Sequence, residues 1–156
     1  MRKTLSRFLN KYKNKDVYLL HADMFGFETF NSINCGIQEP NMVNIACGLA
    51  SQGKKVIIYG VAGFVLYKAY EQIKLNVKFW AENYGSIIFV NAGANRCYSF
   101  AGRGHCIDDD EMLCKALKLD LFEPKTRKEF LKLIKTKLKT NGSSFIRLGK
   151  DNEKWD

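Results

Sequence analysis

Two rhythms of apolar residues alternate along this chain. Leu5, Phe8, Leu9 and Tyr12 recur at three- and four-residue intervals, which places them on one side of a helix over residues 3–13. Residues 16–24 (DVYLLHADM) then make an unbroken run of strand length, and a loop with glycine and asparagine carries the chain to Gly36. Pro40 marks a helix start, because the first helical position needs no N–H. That helix runs to about residue 52, where Gly53 ends it. Residues 54–61 (KKVIIYGV) predict a strand, 63–83 a long helix, and 86–91 (SIIFVN) another strand. Residues 92–105 are glycine-rich and irregular. A helix opens at residue 107 or 108 and runs to about 117. Residues 119–122 are a short strand, 126–140 a helix and 143–148 a final strand.

Strands thus alternate with helices, and the strands are continuous apolar runs rather than apolar–polar alternations. That pattern predicts an α/β fold: a mostly parallel sheet with helices on both faces. Ligands of such folds bind beyond the carboxyl ends of the strands. Chemistry is therefore expected in residues 22–39, 60–64 and 91–105, which follow the first three strands.

Composition adds boundaries to this picture. The 156 residues suit one domain with one real core, and 46% apolar with 26% charged residues is ordinary for a globular chain. No apolar run approaches the roughly 18–20 residues that span a bilayer. The five cysteines, Cys35, Cys47, Cys97, Cys106 and Cys114, are odd in number and lack CxxC spacing, so neither a disulfide framework nor a zinc site is expected. Reduced thiols fit a cytoplasmic protein. The net charge is +9, concentrated near the two ends, with Arg2, Lys3, Arg7, Lys11, Lys13 and Lys15 at the start and a basic stretch over residues 125–139. The lysines lack interleaved exposed aromatics or a nucleic-acid motif, so a solvated surface is expected, with no nucleic-acid or membrane partner. The basic start has something of a transit peptide, yet the helical spacing of its apolar residues accounts for it equally well.

Few residues carry chemistry on their own pattern. Glu39 lies where a loop meets a helix start, which suits a carboxylate because of the free N–H groups there, and by geometry alone it reads as an ordinary helix-start glutamate. Asp108, Asp109 and Asp110 are consecutive and point in different directions. They make a poor metal cage and read as helix-start charges. Gly102 and Gly104 are too few for a dinucleotide or P-loop fingerprint. His21 reads as structural.

The stretch GIQEPNMVNIACGLA resembles the pyrimidine-binding domain of the transketolase family, which is shared with deoxyxylulose phosphate synthase. Those domains read G-I-A-E-Q-x-M-x-x-x-A-x-G-L-A, and this chain matches at Gly36, Ile37, Glu39, Met42, Ala46, Gly48, Leu49 and Ala50. Further on, Ala69, Gln72 and Ile73 resemble the family's A-x-x-Q-I/V element. Gly102-Arg103-Gly104-His105 stands in place of G-x-T-H, and Arg147 lies in an arginine-containing last strand. The resemblance covers residues 3–150. The chain departs from the family pattern at Gly104, where a threonine is usual, and at Ala101, where the family often has an acidic residue. At Val65 the family has an aromatic ring, and here Phe64 stands one position earlier.

This resemblance implies a thiamine diphosphate enzyme. In the family a glutamate shares a proton with N1′ of the aminopyrimidine, favouring the tautomer whose 4′-nitrogen takes the proton from the thiazolium C2. Glu39 inherits that role. His105 is implied as a substrate contact or proton-transfer group, Asp23 as a cofactor contact, and Phe64 as the ring stacked on the pyrimidine, with Tyr67 and Tyr59 as other candidates. Arg147 and Lys150 are implied contacts of a sugar phosphate. The family's diphosphate mark, Gly-Asp-Gly with an asparagine downstream, does not occur in the sequence. Residues 1–156 are therefore expected to be a single pyrimidine-binding domain, without a diphosphate-binding or C-terminal transketolase domain. A separate diphosphate-binding subunit is expected to hold magnesium or calcium, in a homodimer or an α2β2 heterotetramer. The expected activity is transfer of a two-carbon ketol unit between sugars or sugar phosphates. A decarboxylating carboligase and a non-catalytic regulatory module remain as alternatives.

Overall fold

The computed structural model describes residues 2–24, 26–93 and 96–149. Its strands are β1 (Val17–His21), β2 (Ser32–Asn34), β3 (Lys55–Val61), β4 (Ser86–Ala92), β5 (Asp120–Phe122) and β6 (Gly142–Leu148). They form one sheet in the order β2-β1-β3-β4-β6-β5, with every neighbouring pair parallel. The helices are α1 (Arg2–Tyr12), α2 (Glu39–Ser51), α3 (Ala62–Lys68), α4 (Tyr70–Gln72), α5 (Lys78–Asn83), α6 (Asp110–Ala116) and α7 (Arg127–Lys137).

A parallel sheet needs cover on both faces, and the pleat supplies residues for each. Leu20, Val56, Ile58, Ile87, Phe89 and Phe145 form one core with Met42, Val43, Ala46 and Ala50 of α2, Val65 and Leu66 of α3, and Cys114 of α6. Val17, Leu19, Ile57, Tyr59, Ile88, Val90, Ile146 and Leu148 form the other with Leu5 and Leu9 of α1 and Phe130 and Ile134 of α7. The α/β architecture expected from the apolar runs is thus the one observed. Every residue of the central strand β4 is buried, and each large apolar side chain there contributes about 1.5–3 kcal/mol. Gly85 immediately precedes this strand, where a Cβ would lie 2.4 Å from the Lys54 carbonyl oxygen, so no other residue fits.

Three elements differ from the sequence-based expectation. The first strand ends at His21 rather than at residue 24, because Asp23 turns the backbone to φ +50°. The following loop contains the edge strand β2, whose three mostly polar residues (SIN) give no apolar run yet pair with Leu19, Leu20 and His21. The long helix is interrupted: after α3 and α4 a π-helix covers Ile73–Val77 before α5. Its cause is legible in the spacing. Ala69, Ile73, Val77 and Ala81 are all fully buried at intervals of four. On a regular α-helix such a row drifts about 40° per step, and a wider turn cancels the drift.

Candidate functional site

The chain leaves β1 toward the edge strand β2, then returns through α2 to β3 on the other side of β1. That reversal opens a crevice at the carboxyl ends of β1 and β3, where open α/β sheets bind ligands. Gly36, at φ +67°, turns the chain into α2. The Gln38 side chain makes no capping bond, and Glu39 and Pro40 open the helix. The Glu39 side chain is only 3% exposed. Its carboxylate Oε2 meets Lys68 Nζ at 3.5 Å, and the Lys68 side chain is 47% exposed.

Lys68 ends α3, one turn after Phe64. Its Nζ sits 4.6 Å from the centroid of the Phe64 ring. The same ring meets His105 edge-on, at 4.9 Å between centroids. His105 lies half-buried in a 3-10 turn (Arg103–His105), with its N–H donating to the Gly102 carbonyl at 3.1 Å. Glu39, Lys68, Phe64 and His105, from three segments, therefore form one continuous contact chain. Glu39, Phe64 and His105 stand out in the sequence; Lys68 does not. Its signal is its position four residues after an aromatic on one helix face.

Asp23 lies on the exposed turn beyond β1. Asn34 anchors that turn: its Oδ1 accepts the N–H groups of Asp23 and Gly36, each at 3.0 Å, and its Nδ2 donates to the Asp23 carboxylate at 3.2 Å. Asn34 ties the ends of β1 and β2 to the start of α2. His21 is buried, and its Nδ1 accepts the Met24 N–H at 3.2 Å. Burial pushes the His21 pKa down, against the pull of Asp23. Of the other aromatic candidates, Tyr67 donates to Asp109, and Tyr59 is fully buried against Phe27.

Arg147, near the end of β6, has an 11% exposed side chain and meets three carboxylates: Asp110 at 3.2 Å, Glu111 at 3.1 Å and Glu123 at 2.6 Å. Burial opposes its charge, but the Glu123 hydrogen bond and the nearby Asp110 and Glu123 charges outweigh that and push its pKa up. The three consecutive aspartates do diverge, Asp108 to Arg96, Asp109 to Tyr67 and Asp110 to Arg147. Lys150 lies outside the described residues. Among the described residues no His, Cys, Asp and Glu side chains group as metal ligands, and no helix is long and apolar enough to cross a membrane. None of the five cysteines is in a disulfide; burial pushes Cys47 up to about 11 and Cys114 up to about 12, which makes both poor nucleophiles.

No family model matches the chain. It is 26% identical over 148 residues to a subunit of the apulose-4-phosphate transketolase of Phocaeicola vulgatus, covering 88% of this chain and 46% of that protein. It is 31% identical over 117 residues to the corresponding apulose-4-phosphate transketolase subunit of Actinobacillus succinogenes, covering 74% of this chain and 37% of that protein. The chain thus spans less than half the length of these curated relatives. Among solved structures, a split-gene transketolase described as an inactive beta4 tetramer superimposes with a TM-score of 0.75 at 22% identity, covering 99% of this chain and 56% of that one. A transketolase variant from Pichia stipitis gives 0.78 at 18%, covering 95% and 25%. At those identities the structural likeness concerns the fold. By sequence the chain is thus a relative of transketolase subunits, and its fold is one found in transketolases.

Proposed function

We propose that this chain is the pyrimidine-binding subunit of a two-component, thiamine diphosphate-dependent transketolase-like enzyme, a transferase that moves a two-carbon ketol unit between sugars or sugar phosphates. The observation that carries this reading is Glu39. A carboxylate that is 3% exposed, at a helix start in the crevice, with one half-exposed partner at 3.5 Å, is ill explained as a stability feature. It is well explained as a group awaiting a ligand that donates or shares a proton.

The residues around it fit an aminopyrimidine. Glu39 would share a proton with the ring nitrogen, Phe64 would give its ring face, and the Asn34-anchored turn would bring the Asp23 carboxylate to the rim. His105, packed on Phe64, would reach a substrate hydroxyl. When bound, thiamine diphosphate supplies the nucleophilic carbon that takes up the two-carbon unit. Burial of Glu39 would exclude competing water and strengthen a hydrogen bond to the ring. A substrate phosphate near Arg147 would have to join a guanidinium that three carboxylates already hold.

Magnesium and the diphosphate would be held by a separate subunit carrying the Gly-Asp-Gly mark, with the cofactor between the two chains in an α2β2 assembly. Residues 1–156 would then be one pyrimidine-binding domain, working in the cytoplasm, where its cysteines would stay reduced. Apulose 4-phosphate, which appears in the names of two relatives, is the first substrate to try. The test is a tagged pull-down of this chain from its native cells, followed by mass spectrometry. A stoichiometric chain containing Gly-Asp-Gly, and turnover that requires thiamine diphosphate, is the expected result. Recovery of this chain without such a partner, and no binding of thiamine diphosphate with magnesium, would refute the proposal.

A further inference from the structure

Lys68 occupies both contacts that an aminopyrimidine would need at this site. Its ammonium faces the Glu39 carboxylate at 3.5 Å and covers a face of the Phe64 ring at 4.6 Å from the centroid. A hydrogen-bonding cation lying on an aromatic ring uses the same two contacts, the carboxylate and the ring face, that a flat N–H-bearing heterocycle stacked there would use. The pairing is also loose. A charge-assisted N–H···O bond is usually about 2.7–2.9 Å long, and this one is 3.5 Å. With its side chain 47% exposed, Lys68 reaches water by rotating its flexible stem, and a half-exposed ion pair is cheaply broken.

Resting on the reading of Glu39 as the pyrimidine-facing carboxylate, we infer that Lys68 is a displaceable placeholder: it neutralises Glu39 and covers Phe64 while the site is empty, and swings out when the cofactor's pyrimidine enters. It solves a problem the site itself creates. A buried carboxylate without a partner is strongly destabilising, yet a carboxylate locked into a tight ion pair could not share a proton with a ligand. A long, half-exposed contact meets both demands. Lys68 thereby lowers cofactor affinity in return for a stable empty chain, and acts as a positioning residue rather than as a catalytic one.

The test uses the complex of this chain with its co-purified diphosphate-binding subunit. Thiamine diphosphate is titrated calorimetrically in the presence of magnesium for wild type, Lys68→Met, Lys68→Gln and Glu39→Gln. Removing the competitor should tighten binding about ten-fold in both Lys68 variants, whereas Glu39→Gln should weaken it about ten-fold. Without cofactor, Lys68→Met should melt about 4 °C below wild type, and saturating cofactor should erase that deficit. Lys68 variants that bind as wild type does, or more weakly, while Glu39→Gln still weakens binding, would overturn the placeholder and leave the proposed function standing. An unchanged Kd in Glu39→Gln would instead remove the pyrimidine from Glu39, and the placeholder with it.

Discussion

Glu39 and Arg147 both carry charges that the fold has buried near the carboxyl edge of the sheet, and the protein treats them in opposite ways. Arg147 is surrounded: Asp110, Glu111 and Glu123 approach its guanidinium at 2.6–3.2 Å, from α6 and from the segment after β5. Among the described residues Glu39 has one long contact, to a half-exposed lysine. Buried charges cost little only when their hydrogen bonds are met. Arg147 therefore ties α6 and the segment after β5 to β6. Glu39 is held by a long contact that a ligand can replace. The contrast separates a charge that holds structure from one held in reserve.

Substitutions can break this comparison from either side. The largest effect belongs to Glu39. Glu39→Ala should lower thiamine-dependent turnover of the complex by about 10²–10⁴-fold, measured by steady-state kinetics, while the fold persists by circular dichroism. Next comes Arg147→Met, which leaves carboxylates around an uncharged stem. It should cost about 3 kcal/mol in urea denaturation, because the nearly buried Asp110 loses its counter-charge. Glu39→Gln should cost under about 1 kcal/mol in the same assay, since its partner is half-exposed. Equal losses in the two variants would erase the distinction.

A smaller effect is a pH dependence. Burial lowers the His21 pKa from its ordinary value of 6.5. The unfolded chain then binds more protons than the folded one just below pH 6.5, so stability should fall as pH drops through that value. His21→Asn, which keeps an acceptor for the Met24 N–H, should flatten the profile between about pH 7.5 and 5.5. A profile as steep as that of wild type would assign the dependence to another group.

Much of the architecture was legible because parallel strands announce themselves as apolar runs. Residues 54–61 and 86–91 became β3 and β4 within a residue at either end. β2 was illegible for the opposite reason: SIN is short and mostly polar, and it is a strand only because β1 offers an edge. Of the crevice residues, Glu39 stood out by its motif. Lys68 drew no notice because a lysine at a helix end has an ordinary explanation, and its contact with Glu39 spans 29 residues of sequence. Arg147 invited a phosphate because an arginine fork matches one. Asp110 and Glu123, which meet it, lie 37 and 24 residues away, beyond any local pattern.

The central claim is that Glu39 activates a bound cofactor, and the exchange of its C2 proton reads this directly. Thiamine diphosphate bound to the two-subunit complex is exposed to deuterium oxide, quenched in acid at set times and followed by proton NMR. The account predicts fast exchange in the wild-type complex and a rate near that of free thiamine diphosphate in Glu39→Gln. Equal exchange rates in the two complexes would contradict it.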